Sequence, residues 1–258
     1  MENIKILVAT HKKYPMPAQD IYLPIHVGRE GKKELGYLGD NTGDNISLKN
    51  ENFCELTGLY WAWKNLECDY IGLCHYRRYF SIKNPLKRVA EKQNKFDLIL
   101  NEDEVIQLLR NNDVILPSKR NYYIETIWTH YKNAHHIKDL EETKNIISEL
   151  YPEYLDSFDL VMQGKTLNLY NMFIMKKKDF DNYCKWLFGI LFELEKRSDI
   201  SEYDSYQKRI YGFISERLFN VWLRKHKELL SVKEIPAVNI ERINWGKKII
   251  DFVRRKVS

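Results

Sequence analysis

Long apolar runs, paired cysteines and a strong overall charge are all missing from this 258-residue chain. No apolar stretch approaches the ~20 residues that a membrane-spanning helix requires, which excludes a bundle of spanning helices. The four cysteines, Cys54, Cys68, Cys74 and Cys184, show no CxxC spacing. They read as reduced thiols of a cytosolic protein, not as a disulfide framework or a metal site. Internal repeats and low-complexity segments are absent as well. The opening apolar run, residues 4–9, is too short for a signal peptide and lacks a cleavage site, so it is expected as a first strand.

The net charge of +5 is unevenly placed. Residues 244–258 hold five basic side chains (Lys247, Lys248, Arg254, Arg255 and Lys256) and one acid, Asp251, a local charge of +4 that leaves +1 for the rest. A near-neutral body lacks the extended basic surface that phosphate backbones demand, which argues against a nucleic-acid partner. At 100° per residue the tail places Trp245, Ile249, Phe252 and Val253 on one arc and most of its basic residues on the other. That is the pattern of a helix lying in an anionic membrane surface, or of one docked on the body.

What is present is an ordinary globular composition, 44% hydrophobic and 30% charged, with many aromatics: 17 Tyr and 6 Trp. Such rings often line sugar or nucleobase sites, although most belong to the core. The organising stretch is residues 69–80, DYIGLCHYRRYF, an apolar run that passes directly into His75, Arg77 and Arg78. A buried strand ending in cationic donors suits an anion, because ligands of open α/β sheets sit beyond the carboxyl ends of strands. A strand that ends in a surface salt-bridge cluster is the plainer alternative.

The remaining pattern alternates strands and helices. Strands are expected at 4–9, 97–100, 113–117 and 168–175, and helices at 52–66, 102–110, 126–150, 179–195 and 203–225. This predicts an α/β fold with a mostly parallel central sheet and a helical C-terminal part, as one domain over 1–243 followed by the tail. Two polar loops stand out, Thr10-His11-Lys12 after the first strand and residues 39–46, GDNTGDNI. The second is a tight turn by composition, or else a set of carboxylates and amides for ribose, base or sugar hydroxyls. Among His130, His135 and His136 the first two are five apart instead of at HxxxH spacing, so zinc is not expected there.

Four boxes together, ELTGLYWAWKN at 55–65, GLCHYRRYF at 72–80, NMFIM at 171–175 and YGFISERL at 211–218, resemble a family of small bacterial capsular and exopolysaccharide glycosyltransferases. That family was long classed as a domain of unknown function, and some members look like galactofuranosyltransferases of the GT-A type. The resemblance runs from about Ile4 to about Glu234. It implies a nucleotide-sugar-binding fold and transfer of a hexosyl group, with UDP-galactofuranose as the leading donor. The acceptor would be a lipid-linked glycan of capsule, exopolysaccharide or O-antigen synthesis, at the inner face of the cell membrane. It also implies a DxD motif for Mn²⁺ or Mg²⁺ after the fourth or so strand, a place held here by His75-Tyr76-Arg77-Arg78. No cofactor is therefore expected, since fixed cations can neutralise the departing diphosphate.

On this reading Thr10, His11, Lys12, Asp40, Asn41, Asp44 and Asn45 hold the donor's base and ribose. Arg77 and Arg78, with His75, hold the diphosphate, and His135, Asn171 and Arg209 contact the acceptor. Inverting transfer needs a carboxylate base, for which Glu216 is the first choice and Asp204 the second. A nucleotide- or glycan-binding protein without turnover, on the same fold, is the alternative.

Overall fold

The computed structural model describes residues 2–83 and 95–241. The basic tail, 244–258, lies outside the described residues. The strands are β1 (Ile4–Thr10), β2 (Tyr22–His26), β3 (Leu38–Gly39), β4 (Tyr70–His75), β5 (Arg78–Phe80), β6 (Val114–Pro117), β7 (Arg120–Asn121), β8 (Thr166–Leu167), β9 (Phe173–Lys176), β10 (Val232–Ile235) and β11 (Ala237–Asn239). Eight α-helices are found among the described residues: α1 (Asn50–Phe53), α2 (Leu56–Asn65), α3 (Glu102–Leu109), α4 (Ile127–Ala134), α5 (Ile137–Leu150), α6 (Leu155–Gln163), α7 (Lys177–Arg197) and α8 (Ile210–Lys225).

Nine strands form one mixed sheet with the path β10-β6-β9-β4-β1-β2-β3; β5 pairs with β4 and with β11. β1 runs parallel to β2 and β4, and β6 parallel to β10. β9 is antiparallel to both of its neighbours, β4 and β6. β4 and β6 therefore point the same way, so the carboxyl ends of β1, β2, β4, β6 and β10 share one edge of the sheet. The sheet is mostly parallel, as its apolar runs predict, and strands buried on both faces such as β1 account for those runs.

Two apolar layers cover the two faces. Under α2 and α4–α8 lie Leu7, Leu73 and Phe173 with Phe180, Tyr183 and Phe219. The other face packs Ile6, Val8 and Ile174 against Tyr79, Val105 and Leu109. Phe180 and Phe219 are at most 1% exposed, and truncating either to alanine should cost about 3–5 kcal/mol.

Five expected elements differ: the strand expected over 168–175 begins only at Phe173, after a turn, the helix expected over 203–225 begins only at Ile210, and three others depart for a local reason. The helix expected over 52–66 is split at Cys54, which has φ 53° and ψ −130°. The break is held because Asn50 Nδ2 donates to the Cys54 carbonyl at 2.7 Å. The helix expected over 126–150 breaks at His135, which is extended at φ −143°, ψ 179°. His135 leaves the helix to stack on Phe213, 4.1 Å between ring centroids, and Nδ1 lies 3.0 Å from Gln207 Oε1. Residues 97–100 do not form a strand. A 3-10 turn covers Lys95–Leu98, and Leu98, Ile99 and Leu100 bury beneath the sheet as anchors.

Candidate functional site

The carboxyl ends of β1 and β4 open into a cleft of about 390 Å³, at the place where such sheets present ligands. β1 ends at Thr10, whose hydroxyl donates to the Lys12 carbonyl at 2.7 Å and accepts from the Lys12 N–H at 3.3 Å. That tight turn brings His11 to the cleft wall. β4 ends at His75 and turns back at once through Tyr76 and Arg77 into β5, so His75 pairs with Arg78. Directly opposed residues of an antiparallel pair share a face, which sets the imidazole and the Arg78 guanidinium side by side.

The opposite wall comes from α8 and the turn before β9. Tyr170 and Asn171 are consecutive non-glycine residues at positive φ, 73° and 52°. Three side chains grip this turn. His75 Nε2 donates to the Tyr170 carbonyl (2.7 Å), Glu216 Oε1 accepts from the Tyr170 N–H (2.8 Å), and Asn171 Nδ2 donates to Glu55 Oε1 (2.8 Å). The Arg78 guanidinium lies over the Tyr170 ring at 4.4 Å. Cys54, Tyr170 and Asn171 are three of the four non-glycine residues at positive φ among the described residues, and all belong to this region. Backbone held in sparsely populated conformations clusters at functional sites.

The cleft is lined by three guanidiniums, Arg77, Arg78 and Arg209, and three carboxylates, Glu51, Glu55 and Glu216. Burial holds the Glu216 carboxyl above the usual range, against the opposing pull of Arg217 and the Tyr170 N–H. Only 20% of its side chain is exposed. Burial keeps His75 below the usual imidazole range, so it is a neutral hydrogen-bonding group near neutral pH. His11 is lowered too, by partial burial and the nearby Lys12 and Arg77 charges. Burial pushes the Cys54 thiol up to about 11, although Arg209 Nε donates to its sulfur at 3.2 Å.

The structure brings His11, His75, Arg77, Arg78, Arg209 and Glu216 together in this cleft. Lys12 stands at its rim, over the Tyr76 ring, and pairs with Glu241, as Arg77 does. Asn171 lies behind the wall at 3% exposure, with Oδ1 buried and lacking a partner among the described residues.

Other candidates sit apart from the cleft lining. Asp40 is fully buried and accepts from the Gly28 and Arg29 N–H groups (2.7 and 3.0 Å) and from the Ser47 hydroxyl. Gly28, at φ 63°, leaves no room for a Cβ beside the Asn50 side chain. Asn41 donates to Glu30, Asp44 accepts from the Tyr60 hydroxyl, and Asn45 bonds Gly43 and Ser47. The 39–46 loop thus braces the fold around α2. His135 is held neutral, pushed down to about 4 by burial. Asp204 is exposed and caps the turn before α8, accepting from the Tyr206 and Gln207 N–H groups at 2.8 and 2.7 Å.

Sequence reasoning missed Cys54, Glu51 and Tyr170 as cleft residues, and only the structure shows that Glu55 holds Asn171. Asn at 171 was the available signal, since Asn tolerates the left-handed region. For a divalent ion the donor set does not fit. Among the described residues no group of three or more His, Cys, Asp and Glu side chains converges. One D-x-D spacing does occur, Asp179-Phe180-Asp181. It opens α7 beyond the carboxyl end of β9, at the opposite edge of the sheet, and Asp181 there pairs with Lys177.

Among solved structures, the apo structure of WbbM, a bifunctional glycosyltransferase, matches with a TM-score of 0.84 at 33% identity. The match covers 93% of this chain and 46% of that one, so this chain spans less than half of WbbM's length. No curated protein matches. The model of a family described as a domain of unknown function, DUF4422, matches residues 5–227, which include both walls of the cleft. The chain belongs to the DUF4422 family.

Proposed function

We propose that this chain is a glycosyltransferase that moves a hexosyl group from a nucleotide-diphosphate sugar to a lipid-linked glycan. The observation that carries the reading is the pairing, in one cleft at the carboxyl edge of the sheet, of Arg77 and Arg78 with a carboxyl of raised basicity, Glu216. The likeness to the WbbM structure supports it. UDP-galactofuranose is the proposed donor and a GT-A-type fold the proposed frame.

In this mechanism the diphosphate lies against Arg77 and Arg78, with Arg209 on the far wall. The acceptor hydroxyl oxygen attacks the anomeric carbon, and Glu216 takes its proton. The bond from that carbon to the diphosphate oxygen breaks, and the electron pair leaves with UDP as the guanidiniums neutralise the growing charge. Attack from the face opposite the leaving group inverts the anomeric centre. His75 acts through Tyr170, because its Nε2–H fixes the carbonyl of the residue whose N–H orients Glu216. The raised pKa of Glu216 makes it a stronger base than an exposed carboxylate, at the cost of needing a higher pH to ionise.

Calorimetric titration with UDP tests the donor half, and UDP release from UDP-galactofuranose in the presence of extracted lipid acceptor tests transfer. Binding of UDP that is lost in Arg78→Glu is the expected result. A folded wild-type chain that ignores UDP and UDP-sugars would refute the reading.

A further inference from the structure

Two consecutive residues of α8 carry opposite charges, and only one of them reaches the cleft. Glu216 lines it, whereas Arg217 does not and is 3% exposed. The Arg217 guanidinium carbon lies 5.0 Å from the centroid of the buried Tyr131 ring. A guanidinium does not give up its proton inside a protein, so this side chain brings a permanent charge into the interior. Such a charge is costly there unless an anion stands beside it.

Among the described residues the one carboxylate within ion-pair distance is Glu216, whose Oε2 lies 3.4 Å from Arg217 Nη1. The same Nη1 donates to the Phe213 carbonyl, one turn back, at 2.9 Å, which pins the guanidinium to the helix. Nε is buried and has no partner among the described residues. For packing alone a methionine would serve better, because it fills similar space with neither a buried charge nor an unmet donor. What methionine cannot supply is a cation beside Glu216.

The two oxygens of Glu216 are held from different directions. Oε1 accepts from the Tyr170 N–H at 2.8 Å, and Oε2 faces Arg217 at 3.4 Å. Donors on two separate elements, the turn before β9 and α8, thus fix the plane of the carboxylate. Oε2 is the more loosely held and is the oxygen left to take a proton. Four other titratable groups act on Glu216. Arg78 of β5 favours its charged form, and Glu55, just before α2, opposes it. Cys54 and Tyr122 stay protonated near neutral pH, since burial raises both. Arg217 is the strongest of the groups that work against burial.

We infer that Arg217 is the positioning residue of the base, a buried counter-ion that holds Glu216 as a carboxylate facing the cleft. It touches no substrate and acts through Glu216 alone. As the acceptor hydroxyl attacks, its proton passes to Glu216 Oε2, while Arg217 keeps its own protons throughout. The inference rests on the glycosyltransferase reading for the role of Glu216 as base; the ion pair is measurable without it.

The test titrates Glu216 directly, by carbon-13 NMR of the full chain labelled at its glutamate carboxyls, with Glu216→Gln identifying the signal. Loss of the neighbouring charge in Arg217→Met should raise the titration midpoint by about one pH unit or more. Arg217→Lys keeps the charge and should return the midpoint most of the way to wild type. UDP release with extracted lipid acceptor should follow the same shift. In Arg217→Met it should fall about 10-fold on the acid side of the pH limb and recover as the pH is raised. An unmoved midpoint in Arg217→Met, a lysine variant that shifts as far, or a loss of turnover equal at every pH would overturn the assignment. So would failure of both neutral variants, Arg217→Met and Arg217→Gln, to fold, since the residue would then be a structural cation. An unmoved midpoint in a chain that binds UDP sinks this inference alone. A shifted midpoint in a chain that ignores UDP confirms the ion pair and sinks the reading beneath it.

Discussion

Glu216→Gln separates catalysis from architecture. The glutamine carbonyl can still accept from the Tyr170 N–H, now 2.8 Å from Oε1, so the turn and the donor site stay in place. What disappears is the proton acceptor. General-base catalysis contributes about 10²–10⁴-fold, so turnover should fall by at least ~10²-fold while UDP affinity persists. In the wild type, activity should rise with pH through the raised carboxyl pKa, and the variant should lack that limb. Stability moves the other way. A carboxyl whose pKa is higher in the folded than in the unfolded state takes up a proton on folding, so stability falls as pH rises between the two values. Glutamine has no such proton. The variant should therefore gain melting temperature relative to wild type above that window and lose the advantage below it. UDP release with extracted lipid acceptor, and thermal melts at a series of pH values, measure both. A variant that keeps turnover within about tenfold of wild type removes Glu216 as base. If Asp204→Asn is the one that fails, the two roles are exchanged.

Arg77→Ala or Arg78→Ala should each lower turnover by ~10²-fold or more without unfolding the chain, and near-normal rates in both would make the pair a surface cluster. Asp40→Ala strands two backbone N–H groups, so about 2–4 kcal/mol of stability should be lost in denaturant melts, and an unchanged midpoint would contradict its bracing role. Activity should survive EDTA; complete loss restored by Mn²⁺ would show that the guanidiniums do not replace a metal. Truncation after Asn244 should abolish sedimentation with anionic vesicles at low salt and spare UDP binding, and an intact chain that ignores such vesicles would mean the tail is no anchor.

The sequence by itself determined the β4 strand and the run of His75, Arg77 and Arg78 at its end, because side chains buried on both faces leave a continuous apolar run. It likewise determined α7 and α8, through apolar stripes at helical spacing, and so placed Glu216 among core neighbours. Only the tertiary structure decided what those residues meet. No local pattern announces that Tyr170 adopts positive φ, since packing around the turn, not the residue's own preference, holds it there. The direction of β9 was equally hidden, because side-chain alternation along a strand is the same in either orientation. That direction sends its entering turn to the carboxyl edge, where Glu216, His75 and Glu55 grip it, and sends Asp179 and Asp181 to the other edge. Asp40 shows the same limit from the opposite side. A carboxylate in a glycine-rich loop has one signature in sequence, and whether it faces a ligand or two backbone amides is settled by the fold around it.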